Sequence, residues 1–266
     1  MSSITTDQGI LHYEVYGRGK PVILLLGSLG SWGLWQETMT YLGQYYRTYA
    51  LDFWGFGESG AQRETYQVVD FISLVEQFMD KLGIVSAPLV GHSMGGTVSL
   101  GTALRFPNRA EKVTIIGSPV DGASLALPLK FAGFRLTASA LFTFFPLFRL
   151  AMRAASPHIC RDPRFPDMMD SDLSKTNLES FLVSIASLRK TDLRANIAQI
   201  QVPVMGMFGD RDNIVNPQEW KTLQQGLPNA RIERFPEAGH FIMLDEPRKF
   251  MLTLRDFLEE PPKTSA

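Results

Sequence analysis

The sequence predicts an α/β fold: a mostly parallel central sheet flanked by helices, with a helical cap inserted late in the chain. Three observations predict it. Short apolar runs alternate with helix-compatible segments, which argues for strands joined by crossover helices. The runs are nearly continuous rather than alternating in polarity, as strands buried on both faces are. The alternation then stops between about residues 120 and 197 and resumes afterwards, which marks an insertion.

In chain order, Ile4–Thr6 and Ile10–Tyr16 predict an edge hairpin. "PVILLL" (Pro21–Leu26) is the first buried parallel strand, followed by a helical segment over Trp35–Tyr46. "TYALD" (Thr48–Asp52) and "APLVG" (Ala87–Gly91) are the next strands, separated by a helix over Val68–Leu82. A helix over Thr97–Arg105 leads to the strand "KVTIIG" (Lys112–Gly117). After the insertion come "VPVMGMFG" (Val202–Gly209), a helix over Pro217–Gln225, "ARIERFP" (Ala230–Pro236) and a last helix over Pro247–Leu258. The tail "EEPPKTSA" reads as a frayed end. Residues 1–119 and 198–266 are therefore expected to form the core domain, and residues 120–197 the helical cap.

Composition narrows the function classes. Hydrophobic residues make up 45% and charged residues 20%, which suits a folded domain with a sizeable core. The 26 basic and 27 acidic residues nearly cancel and form no basic stripe, so no nucleic-acid partner is expected. The single cysteine, Cys160, cannot form an internal disulfide, and no metal-ligand cluster is visible, so no metal or other cofactor is expected. "MSSITTD" lacks a basic segment followed by an apolar core, so no secretory signal and a cytoplasmic location are expected. The apolar stretch Leu136–Phe148 falls short of the about 20 residues a spanning helix needs and contains Pro146. It is read as a buried or interfacial helix, with peripheral membrane contact through the cap as one use. A monomer or homodimer is expected.

The chemistry is concentrated in "PLVGHSMGGTVSL" (Pro88–Leu100). Gly91-His92-Ser93-Met94-Gly95 matches G-x-S-x-G between a strand and a helix, the context in which that motif lifts a serine hydroxyl clear of a sheet. The helix N-terminus that follows favours negative charge at that point. A serine needs a base and a group to orient the base. Of the four histidines, His12 lies in the N-terminal strand region, His158 in the insertion and His92 beside Ser93. His240, in "PEAGHFIMLDEP" after the last strand, is the best candidate base. For the acid, Asp210 and Asp212 compete in "FGDRDNIV" after the strand Val202–Phe208.

These motifs, with "PVILLLGSLGSWGLW", "YALDFWGFGESG", "LVGHSMGG", "MFGDRDNIV" and "AGHFIMLDEP", resemble the α/β-hydrolase superfamily over nearly the whole chain. The similarity is to its cap-bearing branch of esterases, C–C bond hydrolases and perhydrolases. It implies a Ser93–His240–Asp212 triad, with Asp121 in "GSPVDG" as runner-up acid, and an oxyanion hole made by the backbone N–H groups of Ser28 and Met94. The serine at the nucleophile position argues against dehalogenase or epoxide hydrolase chemistry.

One departure stands out. Where the family usually carries His-Gly, this chain has Leu26-Gly27. If the leucine only packs beneath the oxyanion loop, Leu26→His should bury an imidazole without assured partners and cost stability. If the loop is under-supported, the outcome favoured here, Leu26→His should raise kcat. Candidate pocket residues are Leu29, Trp32, Trp54 and His92 near the elbow, and Phe131, Phe134 and Phe145 in the insertion.

The expected function is a carboxylesterase- or lipase-like serine hydrolase acting on a hydrophobic small molecule. The alternatives are a C–C hydrolase or perhydrolase with the same residues, and a weakly catalytic or non-catalytic ligand-binding protein.

Overall fold

A computed structural model describes residues 2–60, 65–127, 129 and 145–261. Eight strands form one sheet: β1 (Ser2–Thr6), β2 (Gly9–Gly17), β3 (Pro21–Leu25), β4 (Arg47–Leu51), β5 (Ala87–His92), β6 (Ala110–Ile116), β7 (Val204–Gly209) and β8 (Arg231–Phe235). Their spatial order is β1-β2-β4-β3-β5-β6-β7-β8. The β1–β2 and β2–β4 pairs are antiparallel, and every other pair is parallel. The predicted α/β class and mostly parallel sheet are therefore observed, including the edge hairpin.

The central strands show why continuous apolar runs were the right signal. Along β3, Ile23 and Leu25 join one core cluster, and Val22 and Leu24 join the other. Successive side chains point to opposite faces, and here both faces are covered. All six residues of β5 are buried. The first cluster takes α2 (Val68–Lys81) and α3 (Met94–Arg105). Phe71, Val75 and Phe78 of α2 recur at helical spacing toward the sheet. The second cluster takes α1 (Gln36–Leu42) and the C-terminal helix Pro247–Glu259, through residues such as Met39, Phe250 and Leu254.

The order of connections positions the site. From β3 the chain crosses to β4 on one side and then returns to β5 on the other. Open α/β sheets bind ligands at the carboxyl ends of the strands, where the winding reverses. Between β6 and β7 the described chain contributes helices α4 (Phe145–Ala155), α5 (Phe165–Lys175) and α6 (Leu178–Lys190). Phe181, Ile185 and Leu188 of α6 enter the first cluster, and Phe165, Met169 and Leu173 of α5 enter the second. The inserted helices thus straddle the two layers. Among the described residues no helix is long and apolar enough to cross a membrane.

Candidate active site

β5 ends at His92, and the chain turns through Ser93 with φ 53° and ψ −123°. A non-glycine residue at positive φ costs energy and persists only where its surroundings fix it. The Ser93 N–H donates to the Ile116 carbonyl at 2.9 Å, and the Ser93 carbonyl accepts from Gly96 N–H at 3.0 Å. α3 starts at Met94 rather than at the expected Thr97, so Ser93 is its N-cap. Gly95 and Gly96 are poor helix formers, yet space demands them. A Cβ at Gly95 would lie 2.5 Å from the Leu25 carbonyl, and one at Gly96 would strike the Ser118 hydroxyl.

The loop after β3 meets this turn. A Cβ at Gly27 would lie 2.8 Å from the Ser93 Cβ. The neighbouring Ser28 hydroxyl sits 3.4 Å from Met94 Sδ and 3.4 Å from the Ser184 hydroxyl of α6. Ser28 and Met94 are therefore adjacent beside Ser93. Leu26 precedes this loop with 1% of its surface exposed and belongs to the second core cluster. That placement agrees with the packing alternative, because the side chain fills core space. Leu26→His is expected to lower the melting temperature without raising kcat. A buried imidazole without partners costs about 1–3 kcal/mol. Thermal unfolding together with ester kinetics on the variant checks both halves.

β7 and β8 bring in the acidic and basic groups. His240 Nδ1 and Asp212 Oδ2 are 2.8 Å apart, and both residues are buried. The other Asp212 oxygen, Oδ1, accepts from the backbone N–H groups of Ile214 and Val215 at 2.8 and 2.9 Å. The aspartate is thus fixed from behind while it holds the ring through Nδ1, and Nε2 is the ring nitrogen it does not engage. A glycine missed at the sequence level makes room for the pair. Gly117 has φ +52°, and a Cβ there would press on Asp212 Oδ2 at 3.1 Å and His240 Nδ1 at 3.2 Å. The His240 loop is tied down by Asp245, whose Oδ2 accepts from Gly239 N–H at 2.7 Å.

The competing acids are occupied elsewhere. Asp210 accepts from Arg234 Nε at 2.9 Å. Asp121 accepts from Ala123 N–H at 2.8 Å and pairs with Arg194 at 3.2 Å. Its own backbone N–H donates to the buried Glu219 carboxylate at 2.9 Å. His92 is not a rival base. Its Nε2 donates to the His240 carbonyl at 3.1 Å, and burial, followed by the nearby His240 charge, pushes its pKa well down.

Ser93 and His240 line one cavity of about 120 Å³, together with Ser28, His92 and Asp172. Its remaining described walls are largely apolar and come mainly from the inserted helices, for example Met152, Phe165, Phe181 and Ile185, with Phe241 from beside His240. Of the predicted pocket residues, Leu29 and His92 are in this wall. Trp32 lines the adjoining groove instead. Trp54 is wholly buried in the first core cluster and its Nε1 donates to the Thr6 hydroxyl at 2.9 Å, so it is a core residue. Phe145 stacks on Phe148 with ring centres 6.2 Å apart and is outside the described wall; it stands at the start of α4, two turns before Met152, which is the residue of that helix in the wall. Phe131 and Phe134 lie outside the described residues.

Asp172 was not anticipated. Its Oδ1 accepts from the Ser31 hydroxyl at 2.6 Å and its Oδ2 from Ser31 N–H at 3.2 Å. Burial pushes its pKa up to about 6. The Ser31 hydrogen bonds and Lys175 oppose that rise, and the charge of Asp52 adds to it.

A family model described as alpha/beta hydrolase fold matches residues 20–247, a span that includes Ser93, Asp212 and His240. The chain belongs to the alpha/beta hydrolase fold family. This alpha/beta hydrolase is 26% identical over 257 residues to a pimeloyl-[acyl-carrier protein] methyl ester esterase of Vibrio campbellii, covering 93% of this chain and 98% of that one. It is 27% identical over 262 residues to a 2-hydroxy-6-oxononadienedioate/2-hydroxy-6-oxononatrienedioate hydrolase of Paraburkholderia phymatum, covering 93% and 90%. Among solved structures, an esterase from Exiguobacterium antarcticum superposes with a TM-score of 0.84 at 22% identity, over 97% of this chain and 99% of that one. The enol-lactonase from Burkholderia xenovorans gives 0.81 at 23%, over 94% and 97%. At these identities the structural likeness speaks for the fold.

Proposed function

We propose that this alpha/beta hydrolase cleaves an ester of a hydrophobic small molecule through an acyl-enzyme on Ser93. The observation that carries the reading is the shared cavity: a serine on a strained strand-to-helix turn and a histidine held by a buried aspartate open onto the same apolar space. His240 Nε2 takes the Ser93 proton as Oγ attacks the ester carbonyl carbon. Asp212 keeps the ring oriented and stabilises its protonated form. The N–H groups of Ser28 and Met94 hold the oxyanion. The ester C–O bond then breaks, and the departing alcohol takes the proton from His240. Water, activated by the same nitrogen, attacks the acyl carbon. The acid leaves and Ser93 regains its proton.

C–C bond cleavage is the second reading, since one relative carries that name. The cavity favours the ester. Its described walls hold one carboxylate, Asp172, and no arginine or lysine, which suits an uncharged acyl group better than a dicarboxylate. A panel of p-nitrophenyl esters of increasing chain length, run beside a vinylogous diketone acid, tests this. Neutral esters are expected to turn over at least tenfold faster in kcat/KM. Faster cleavage of the diketone would reassign the reaction.

A further inference from the structure

We propose that Asp172, on a cap helix, is a positioning residue that clamps the loop of the oxyanion hole. This deepens the reading of Ser28 as an oxyanion donor and rests on it.

The argument starts from α5. Its sequence, "FPDMMDSDLSK", carries three acidic side chains of the same kind. Two face outward to arginines of α4: Asp167 pairs with Arg153 at 2.7 Å and Asp170 with Arg149 at 2.8 Å. Asp172 does not. It falls between the buried Met169 and Leu173, three residues after one and directly before the other, on the face that α5 turns to the core. Carboxylates are rarely placed on such a face unless something there receives them.

What receives it is the backbone of the loop that carries Ser28. Ser31 gives Asp172 both its N–H and its hydroxyl. Ser31 is also the residue before the 3₁₀ turn Trp32–Trp35, where backbone N–H groups lack partners of their own. The next N–H, of Trp32, donates to the buried Asp52 at 2.7 Å, and Asp52 also binds Glu58 N–H and His12 Nδ1. Two consecutive amides are therefore held by two carboxylates, one from the sheet domain and one from the cap. Upstream of them the loop needs holding. Leu29 sits at φ 66°, and the turn bond from Gly30 N–H to the Gly27 carbonyl is 3.3 Å long. With Leu26 committed to the core, the cap adds support to this loop through Asp172 at Ser31 and through the Ser184 hydroxyl near Ser28, beside that of Asp52 at Trp32.

Catalytic groups need placement within about half an ångström, and the groups behind them supply it. Losing an oxyanion donor outright lowers kcat by about 10²–10³. Asp172→Ala loosens the donor without deleting it, so kcat should fall roughly ten- to a hundredfold, with KM changed by less than about threefold. Asp172→Asn can offer its carbonyl to Ser31 N–H and its amide to the Ser31 hydroxyl, so it should recover most of the lost kcat. Ser31→Ala should lose kcat in the same sense, and the double variant Ser31→Ala/Asp172→Ala should be no worse than Asp172→Ala alone.

The experiment is ester kinetics on these variants, with hydrogen–deuterium exchange of the peptide spanning residues 28–33. Exchange reads the loop whatever reaction the protein performs. At least tenfold faster exchange in Asp172→Ala, reversed in Asp172→Asn, supports the clamp even if no ester is turned over; that second result would remove the ester reading alone. Unchanged exchange in Asp172→Ala overturns the clamp, as does an unchanged kcat in an enzyme that hydrolyses esters. If Asp172→Ala does not fold, Ser31→Ala decides by the same two readouts.

Discussion

Ser93→Ala is expected to remove ester hydrolysis to within the background set by binding and the oxyanion hole, a loss on the order of 10⁶ in kcat. The methyl group keeps the volume of the turn and deletes only the attacking oxygen. The fold should be retained, because the Ser93 backbone, rather than its side chain, makes the hydrogen bonds to Ile116 and Gly96. Alanine also tolerates the left-handed conformation no better than serine, so no relief of strain should mask the effect. The variant should therefore bind a slow substrate with KM near that of the parent. A kcat within tenfold of the parent would mean that another group attacks the carbonyl.

Asp212→Asn is expected to lower kcat by about 10⁴ while Asp210→Asn and Asp121→Asn stay within a few-fold of the parent. The contrast follows from the partners. Asp212 holds His240 Nδ1 through one oxygen and is itself fixed through the other by two backbone N–H groups. An asparagine in that place must turn an amide toward either the ring or those N–H groups, and either choice misaligns the base. Asp210 and Asp121 face Arg234 and Arg194 instead. Comparing the three variants at matched pH checks the assignment. A crippled Asp121→Asn beside a mild Asp212→Asn would move the acid to the end of β6.

Much of this was legible in the chain. The buried strands announce themselves because a strand covered on both faces has no polar positions to interrupt it, as Val22–Leu25 and Ala87–His92 show. The elbow was legible because its glycines answer a steric demand that leaves few alternatives. Asp212 was harder, since Asp210 stands two residues away with the same chemistry, and only the resemblance separated them. The pocket was read least well. Trp54 and Phe145 are large and close in sequence to the right loops, but whether an aromatic lines a cavity or fills a core depends on what packs over it. Trp54 ended in the core, with its N–H on Thr6. Asp172 was invisible for a related reason. Its sequence neighbourhood, Asp162–Asp172, reads as a Pro- and Asp-rich turn, and only the helix α5 that forms there shows that one carboxylate of the three points inward.

The central claim is that Ser93 is the covalent nucleophile, and the most direct measurement is active-site titration with a fluorophosphonate, read by intact mass and peptide mapping. The account predicts one adduct per chain, located on Ser93, absent in Ser93→Ala and formed far more slowly in Asp212→Asn and in His240→Ala. No adduct at all in the folded protein, or an adduct that persists in Ser93→Ala, would contradict it.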